Sequence, residues 1–483
     1  MKRVLALILI LLTAVGAAAC SPRMPAGSAS SASSAGAAAL PPEPEPVVYG
    51  PNVMDIDFDA LIAAETDKSV IAMHEYFRDR APTMENEYTG LFEGCNLIMI
   101  TAEGFSPYAI REDVTPTLWK MQQEGFRFTN FHTAAQDDTI TGEFEHVTGL
   151  IPSAGVPNHM KKVKDNLLPF TMGAQFQKLG VRTYAYHPHS YTFYDRNKTH
   201  SNLGYDVFRG NRGGVVDGVD SREFALPLEN PKYWPESDLE AVQSSFAEYA
   251  GKADGKPFHA YYMSVSGHCD YSWDGNRMSR KNREAVEGLE LSEKCKAYVA
   301  ANAELDRALE WLMAELEKTG QLERTVFCVT PDHTPQMISY SEMEELAGRE
   351  LEKHFEYYES VFLLYCAGYK DAPEVSVPAN TIDIIPTLSN LFGFDYDSRL
   401  LFGRDLLDPD AEQLITFYGR SWMTDKGKYI AGSKKFVPAE GVVFASEDEQ
   451  KAYVDAVNAK VKAMFEMSAG VIKKDYYRKL FGE

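Results

Sequence analysis

A mostly parallel central β-sheet flanked by helices, followed by a small C-terminal β-rich subdomain, is the fold this sequence predicts. Three observations predict it. Short apolar and β-branched runs alternate with longer segments of helical period over most of the chain. At 483 residues and 45% apolar content the chain can bury a sizeable core, as one large α/β domain with an appendage or as two ordinary domains. Four of the strand-like runs are followed by an acid, a histidine or both, and sheets of this kind collect function outside the carboxyl ends of their strands.

Taken in order, the chain opens on "MKRVLALILILLTAVGAAAC", with a basic start, an apolar run too short to favour a spanning helix, and small residues leading to Cys20. Residues 1–20 read as a leader. Residues 21–50, rich in Ser, Ala, Gly and Pro, read as a tether, and about 25 such residues reach on the order of 25 to 30 Å as a flexible coil. A helical lead-in follows at 51–90, with its helix over about 58–80. The catalytic domain is assigned to 91–412. Its strand candidates are "NLIMIT" (96–101), "VRTYAY" (181–186), "FHAYYMSV" (258–265), "TVFCVT" (325–330) and "SVFLLYCAG" (360–368). Helices are expected over "TPTLWKMQQEG", with Pro116 in the first turn and Gly125 as its stop, and over 291–320, ending at Gly320. Residues 413–483 predict short strands in "LITFYGRSWMT" and "GKYIAG", then a helix from about Glu447 to Met467.

The formal charge of -22 excludes a nucleic-acid partner and argues against polybasic attachment to anionic lipid. Any hold on a membrane has to come from another device. Apart from Cys20, the cysteines are scattered and odd in number, with no CxxC pair. Cys95, Cys328 and Cys366 lie in or beside apolar runs and read as buried thiols.

The residues after each strand carry the chemistry. Glu103 follows the first, "HPHSYTFYDR" the second, "SGHCDY" the third, and "PDH" the fourth. A carboxylate at a buried strand end must be solvated, paired or metal-bound. Glu103, Asp332 and His333 form an N/O donor set that suits Mn2+, Zn2+ or Mg2+, the imidazole favouring transition metals. Asp332 and His333 would point to opposite faces on a strand, but on the loop just past it both can turn to one ion.

The segments "NEYTGLFEGCNLIMITAEGFS", "TAAQDDTITGEF", "TYAYHPHSYTFYDR", "SVSGHCDY", "TPDHT" and "TIDIIPTLSNLFGFDYDSRLLFGRDLL" together resemble the lipoteichoic acid synthase family. These are sulfatase-like phosphoglycerol transferases of the alkaline phosphatase superfamily. The resemblance implies an alkaline phosphatase/sulfatase-like sheet and a nucleophilic threonine at Thr139. It implies metal ligation by Glu103, Thr139, Asp332 and His333, usually to manganese, and a glycerol-phosphate pocket lined by Arg196, Tyr194 and His187, with His268 as its further histidine. From the residues alone, Thr141 and Thr133 compete with Thr139. "AAAC" resembles a lipobox, which implies lipidation of Cys20, a membrane attachment through that anchor, and a site on the extracytoplasmic face of the cell membrane. The substrates implied are the phosphatidylglycerol head group and a glycolipid or polymer acceptor.

The chain departs from the family in three ways. A leader and tether stand where polymerising members have a bundle of membrane helices, so transfer of one unit or hydrolysis competes with polymer growth. His189, assigned to the substrate pocket, stands where the family has an acid, and "TITGEF" lacks the acid that often follows the threonine. Sulfatases of the superfamily make formylglycine from Cys-x-Pro-x-Arg. "CSPRM" at Cys20 sets Arg23 one residue early, and no other such motif exists. The rival functions are a phosphodiesterase or phosphatase of the same superfamily and a non-catalytic envelope-binding lipoprotein.

Overall fold

The computed structural model describes residues 47–134, 138–153, 155–211, 214–216, 218–230, 234–250 and 255–482. Cys20, the leader and most of the tether lie outside these residues.

The central sheet is built from β1 (Asn96–Ala102), β2 (Phe126–Phe128), β3 (Thr183–Ser190), β4 (Val207–Asn211), β5 (His259–Met263), β6 (Thr325–Pro331), β7 (Leu363–Cys366) and β8 (Glu374–Val375). Its eight strands run in the order β8-β2-β7-β6-β1-β5-β3-β4. All neighbours are parallel except at β7, which runs against both β6 and β2. Every residue of β1, β5 and β6 is buried. That is why these strands read as near-continuous apolar runs instead of alternating.

The pleat sends successive residues of β1 into two cores. Leu97 and Met99 join the core containing Ile140, Phe144, Ile385 and Leu388, whereas Ile98 and Ile100 join the core of Leu118, Val242, Leu309 and Leu312. The helices Thr139–Thr148 and Ile384–Leu391 therefore cover one face. Pro116–Glu124, Asp238–Tyr249 and the 26-residue Glu293–Lys318 helix cover the other. Each fully buried Leu on the long helix contributes roughly 1.5–3 kcal/mol.

The fold expectation holds, with local differences. The second predicted strand begins at Thr183 and continues through Ser190, so His187 and His189 lie on the strand and not on the loop after it. The short strands β2, β4 and β8 lack a sequence signal long enough to mark them. The C-terminal sheet is an antiparallel meander of β9 (Leu414–Thr416), β10 (Trp422–Thr424), β11 (Gly427–Ile430) and β12 (Lys435–Pro438). Its first hairpin turns at Arg420, with φ 62°.

The last long helix runs from Glu447 to Lys474, past the expected stop at Met467. Small residues there are contacts and not breakers. The buried Ser468 hydroxyl donates to the Ile151 carbonyl at 2.7 Å and accepts from its amide at 2.9 Å, and Gly470 lies against Met73. Cys95, Cys295, Cys328 and Cys366 are buried, Cys269 is half-buried, and none of these five is in a disulfide. No helix among the described residues is long and apolar enough to cross a membrane.

One contact places a helix against the end of the sheet. A Cβ on Gly142 would stand 1.8 Å from the Asp332 carbonyl oxygen, so only glycine lets the Thr139–Thr148 helix approach the loop after β6. Gly142→Ala is expected to push that helix away and to destabilise the protein by about 1–3 kcal/mol, the usual cost of overpacking. Thermal unfolding with and without Mn2+ checks this, with the larger loss in the presence of metal.

Candidate active site

Register brings the first two candidate ligands together. Ala102 of β1 pairs with Pro331 of β6, so Glu103 and Asp332 leave adjacent parallel strands at the same level. The Asp332 amide donates back to the Ala102 carbonyl at 3.2 Å. Gly104, at φ 55°, then turns the chain so tightly that a Cβ there would stand 2.9 Å from the Tyr271 hydroxyl. Candidate ligand atoms of Glu103, Asp332 and His333 all lie within 4.8 Å of one another, and all three residues are buried.

Each ligand is oriented by its surroundings. Asp332 Oδ1 accepts from the amides of Gly104 at 2.9 Å and His333 at 2.8 Å, while Oδ2 is buried without a hydrogen-bond partner. His333 Nδ1 lies 2.7 Å from the Thr334 carbonyl. Donation there leaves the Nε2 lone pair facing the carboxylates, 3.5 Å from Glu103 Oε1 and 3.4 Å from Asp332 Oδ2. Thr139 Oγ1 donates to Glu103 Oε2 at 3.1 Å and lies 3.5 Å from His333 Nε2.

These spacings match the edges of a coordination polyhedron, about 3.0–3.4 Å for ligands about 2.1 Å from one ion. Burial raises the pKa of Glu103. Burial and then the charge of Glu103 raise that of Asp332, to about 8. Two buried acids side by side with an orphaned oxygen between them suit a divalent cation, and this donor set fits one.

Thr139 is the first residue of its helix, where the dipole and free amides favour negative charge. Asp138 caps the helix, accepting from the Thr141 amide and from the Thr141 hydroxyl, both at 2.9 Å. The cap occupies the hydroxyl of that rival. Thr133 is buried, and its amide donates to the Tyr358 carbonyl.

Arg196, which the resemblance assigns to the glycerol-phosphate pocket, already has a carboxylate partner. It is fully buried, and Nε and Nη2 donate to Glu143 Oε2 at 3.0 and 2.8 Å, leaving Nη1 as its unpartnered nitrogen. A buried guanidinium needs a counter-charge, and Glu143 supplies it. Burial alone would raise the Glu143 pKa, but Arg196 and His200 hold it far below the ordinary carboxylate value. Tyr194, in the left-handed region at φ 57°, places its ring 5.3 Å from the guanidinium carbon.

Behind Glu143 runs a buried chain. The Tyr261 hydroxyl donates to Glu143 Oε1 at 3.0 Å. Thr101 Oγ1 lies 2.8 Å from that hydroxyl and 2.7 Å from His146 Nδ1. Glu143 was not singled out from the sequence. Its signal was there, since it stands one helical turn after Thr139.

His187 and His189, two apart on β3, share one face, with ring centroids 5.8 Å apart. His187 Nδ1 lies 3.0 Å from the Met263 carbonyl. Burial, then the Arg196 charge, keep its pKa well below the usual value, so the ring is neutral. His189 packs between Phe193 and Trp234, and its Nδ1 lies 3.9 Å from Glu236 Oε2. Neither Trp234 nor Glu236 has a sequence signal, because both come from the irregular stretch after β4. His268 rests edge-on against Trp234. Burial lowers its pKa, but hydrogen bonding to Cys269 outweighs that and carries it above the ordinary value.

A mostly parallel sheet with carboxylates, an imidazole and a helix-borne hydroxyl gathered at its carboxyl edge defines an alkaline phosphatase/sulfatase-like protein. The chain belongs to the sulfatase family, whose Sulfatase model matches residues 96–394. The lipoteichoic acid synthase of Staphylococcus aureus (strain USA300) is 24% identical over 435 residues, covering 86% of this chain and 62% of that protein. The chain thus spans less than two thirds of the length of the curated relatives it matches. Among solved structures, the lipoteichoic acid synthase LtaP from Listeria monocytogenes superposes with a TM-score of 0.66 at 19% identity, covering 83% of this chain and 98% of that one. An alkaline phosphatase superfamily protein from Vibrio parahaemolyticus gives 0.58 at 18%, covering 87% and 96%. The last two show the fold.

Two outcomes are expected from this geometry. Without metal, the protein loses stability progressively between pH 4, where the unfolded carboxylates ionise, and about 8, where Asp332 does in the fold. Mn2+ or Zn2+ offsets that loss, with proton release on binding, and calorimetry in buffers of different ionisation enthalpy checks both. Glu143→Ala, which strands the Arg196 charge, is expected to destabilise the fold by about 3–5 kcal/mol. Glu143→Ala with Arg196→Met costs less than the sum of the single changes, a non-additivity readable by urea unfolding.

Proposed function

We infer that the protein is an extracytoplasmic, metal-dependent phosphoglycerol transferase acting on phosphatidylglycerol. The observation that carries this reading is the position of Thr139 Oγ1, at a helix N-terminus, 3.1 Å from Glu103 Oε2 and 3.5 Å from His333 Nε2. Similarity to lipoteichoic acid synthase supports the substrate class.

Glu103, Asp332, His333 and Thr139 would hold a divalent ion, manganese by family resemblance, which would lower the pKa of a bound hydroxyl and offset negative charge on a phosphate oxygen. Thr139, its hydroxyl proton lost to solvent beforehand, attacks phosphorus through Oγ, and the bond from phosphorus to the diacylglycerol oxygen breaks. His268, whose raised pKa favours the protonated ring, gives its proton to that oxygen. The glycerophosphoryl group then rests on Thr139. An acceptor hydroxyl attacks phosphorus in turn, passes its proton to His268, and Thr139 leaves.

Arg196 Nη1 donates to a phosphate oxygen while Glu143 keeps the guanidinium in place. Neutral His187 lines the same pocket with Nε2 free of the Met263 contact. Tyr194 and His189 complete its wall. Positioning and charge compensation supply most of the acceleration. Lipidation at Cys20, with residues 21–50 as the tether, would keep the site near its lipid substrate. The small sheet and terminal helix of 413–483 then form an appendage to a catalytic domain of 91–412.

Incubation with Mn2+ and phosphatidylglycerol labelled in its head group tests the reading. Label transferred to a glycolipid acceptor supports it, whereas label released only as free glycerol phosphate means a hydrolase. Thr139→Ala is expected to lower turnover by at least about 10³-fold with the fold retained by circular dichroism. Unchanged turnover in that variant overturns the role of Thr139.

A further inference from the structure

Apolar and cationic side chains meet at the mouth of the site. Phe193 and Trp234 are 41% and 39% exposed, and both stand edge-on to His189, at 4.6 and 5.1 Å. Trp234 also meets His268 at 4.8 Å. Met337 is 60% exposed and follows Gln336, whose amide oxygen lies 3.8 Å from the Cys269 thiol beside His268. A cavity of about 650 Å³ beside Trp234 is lined by Arg277, Arg280, Lys281 and a single acid, Asp274. Lys281 is paired with the buried Glu304, while Arg280 bonds the carbonyls of Trp273 and Asp274 and keeps its charge. On a chain of formal charge -22, a local excess of cations around exposed aromatics needs a cause.

We propose that this rim seats on the surface of an anionic phospholipid bilayer, with Trp234 and Phe193 at the level of the head groups and the Arg277–Lys281 cleft over their phosphates. The proposal rests on the phospholipid substrate inferred above. Tryptophan prefers the membrane interface because its ring is apolar and its N–H is polar, and basic side chains beside it gain from anionic lipid. Drawing a two-chain lipid wholly into water is prohibitive, since every methylene adds to the cost. A site bordered by interfacial residues instead receives the phosphodiester while the acyl chains stay in the bilayer. Three apolar side chains around an opening fall far short of the roughly 800 Å² per partner that a stable protein interface buries. The rim suits a lipid surface better than a second protein.

Full-length protein reconstituted into zwitterionic vesicles, with or without about a third phosphatidylserine, tests the proposal through lipids brominated near the head group. Tryptophan fluorescence is expected to be quenched in the anionic vesicles, and Trp234→Phe to remove most of that quenching. The double variant Arg280→Glu, Met337→Ser is expected to slow turnover of vesicle-borne phosphatidylglycerol on the order of tenfold. Its turnover of a water-soluble short-chain analogue stays within about twofold of the parent. Equal loss on both substrates, quenching indifferent to Trp234, or shielding of Trp234 only by a second copy of the chain overturns the proposal. If the parent protein turns over neither substrate, the phospholipid reading fails by itself, and the quenching still decides where the rim sits.

Discussion

Two carboxylates that leave neighbouring strands side by side cannot both be charged inside a protein unless a cation lies between them. Glu103 and Asp332 are in that position because β1 and β6 pair residue for residue up to Ala102 and Pro331. The rest of the site answers to this constraint. His333 turns Nε2 toward the pair by giving Nδ1 to the Thr334 carbonyl. The amides of Gly104 and His333 engage one Asp332 oxygen and leave the other free. Thr139 completes the ring of donors from a helix that approaches only because Gly142 has no side chain.

The same electrostatic logic repeats one layer out. Arg196 is fully buried, and a lone guanidinium at this depth would carry a desolvation penalty of several kcal/mol, roughly. Glu143 removes that penalty and fixes the plane of the fork, at the cost of two of its donors. Because Glu143 and Thr139 share one helix, the Arg196 guanidinium that Glu143 holds and the Thr139 hydroxyl are kept at a set separation. Tyr261, Thr101 and His146 extend this order into the sheet through a chain of buried hydrogen bonds. Around the opening the requirement changes from charge balance to wetting, and exposed aromatics and basic residues stand there together.

Much of the scaffold was legible from residue order. The runs at 96–101, 258–265 and 325–330 are buried on both faces and so appear as unbroken apolar stretches, which is the strongest strand signal a sequence carries. The long helix was marked by its period and by Gly320. β2, β4 and β8 were not legible, because FRF, VFRGN and EV contain no sustained apolar run and draw their stability from neighbours. The terminal helix ran past Met467 for the same reason, its Ser-Ala-Gly stretch being selected by contact with Ile151 and Met73.

By itself the sequence determined that acids and histidines would stand at strand ends, and that Glu103, Asp332 and His333 are chemically a metal-binding set. It also singled out Thr139, but only through family resemblance, since Thr141 and Thr133 have the same hydroxyl. Only the tertiary structure separates their surroundings: the cap at Asp138 engages the Thr141 side chain and leaves Thr139 facing the carboxylates. It also decided that Arg196 is half occupied by Glu143, and that Trp234 and Glu236 flank His189. The physical reason is that side-chain chemistry is local and can be read from order. Strand register, helix approach and the pairing of buried charges depend on which distant segments share the same few ångströms.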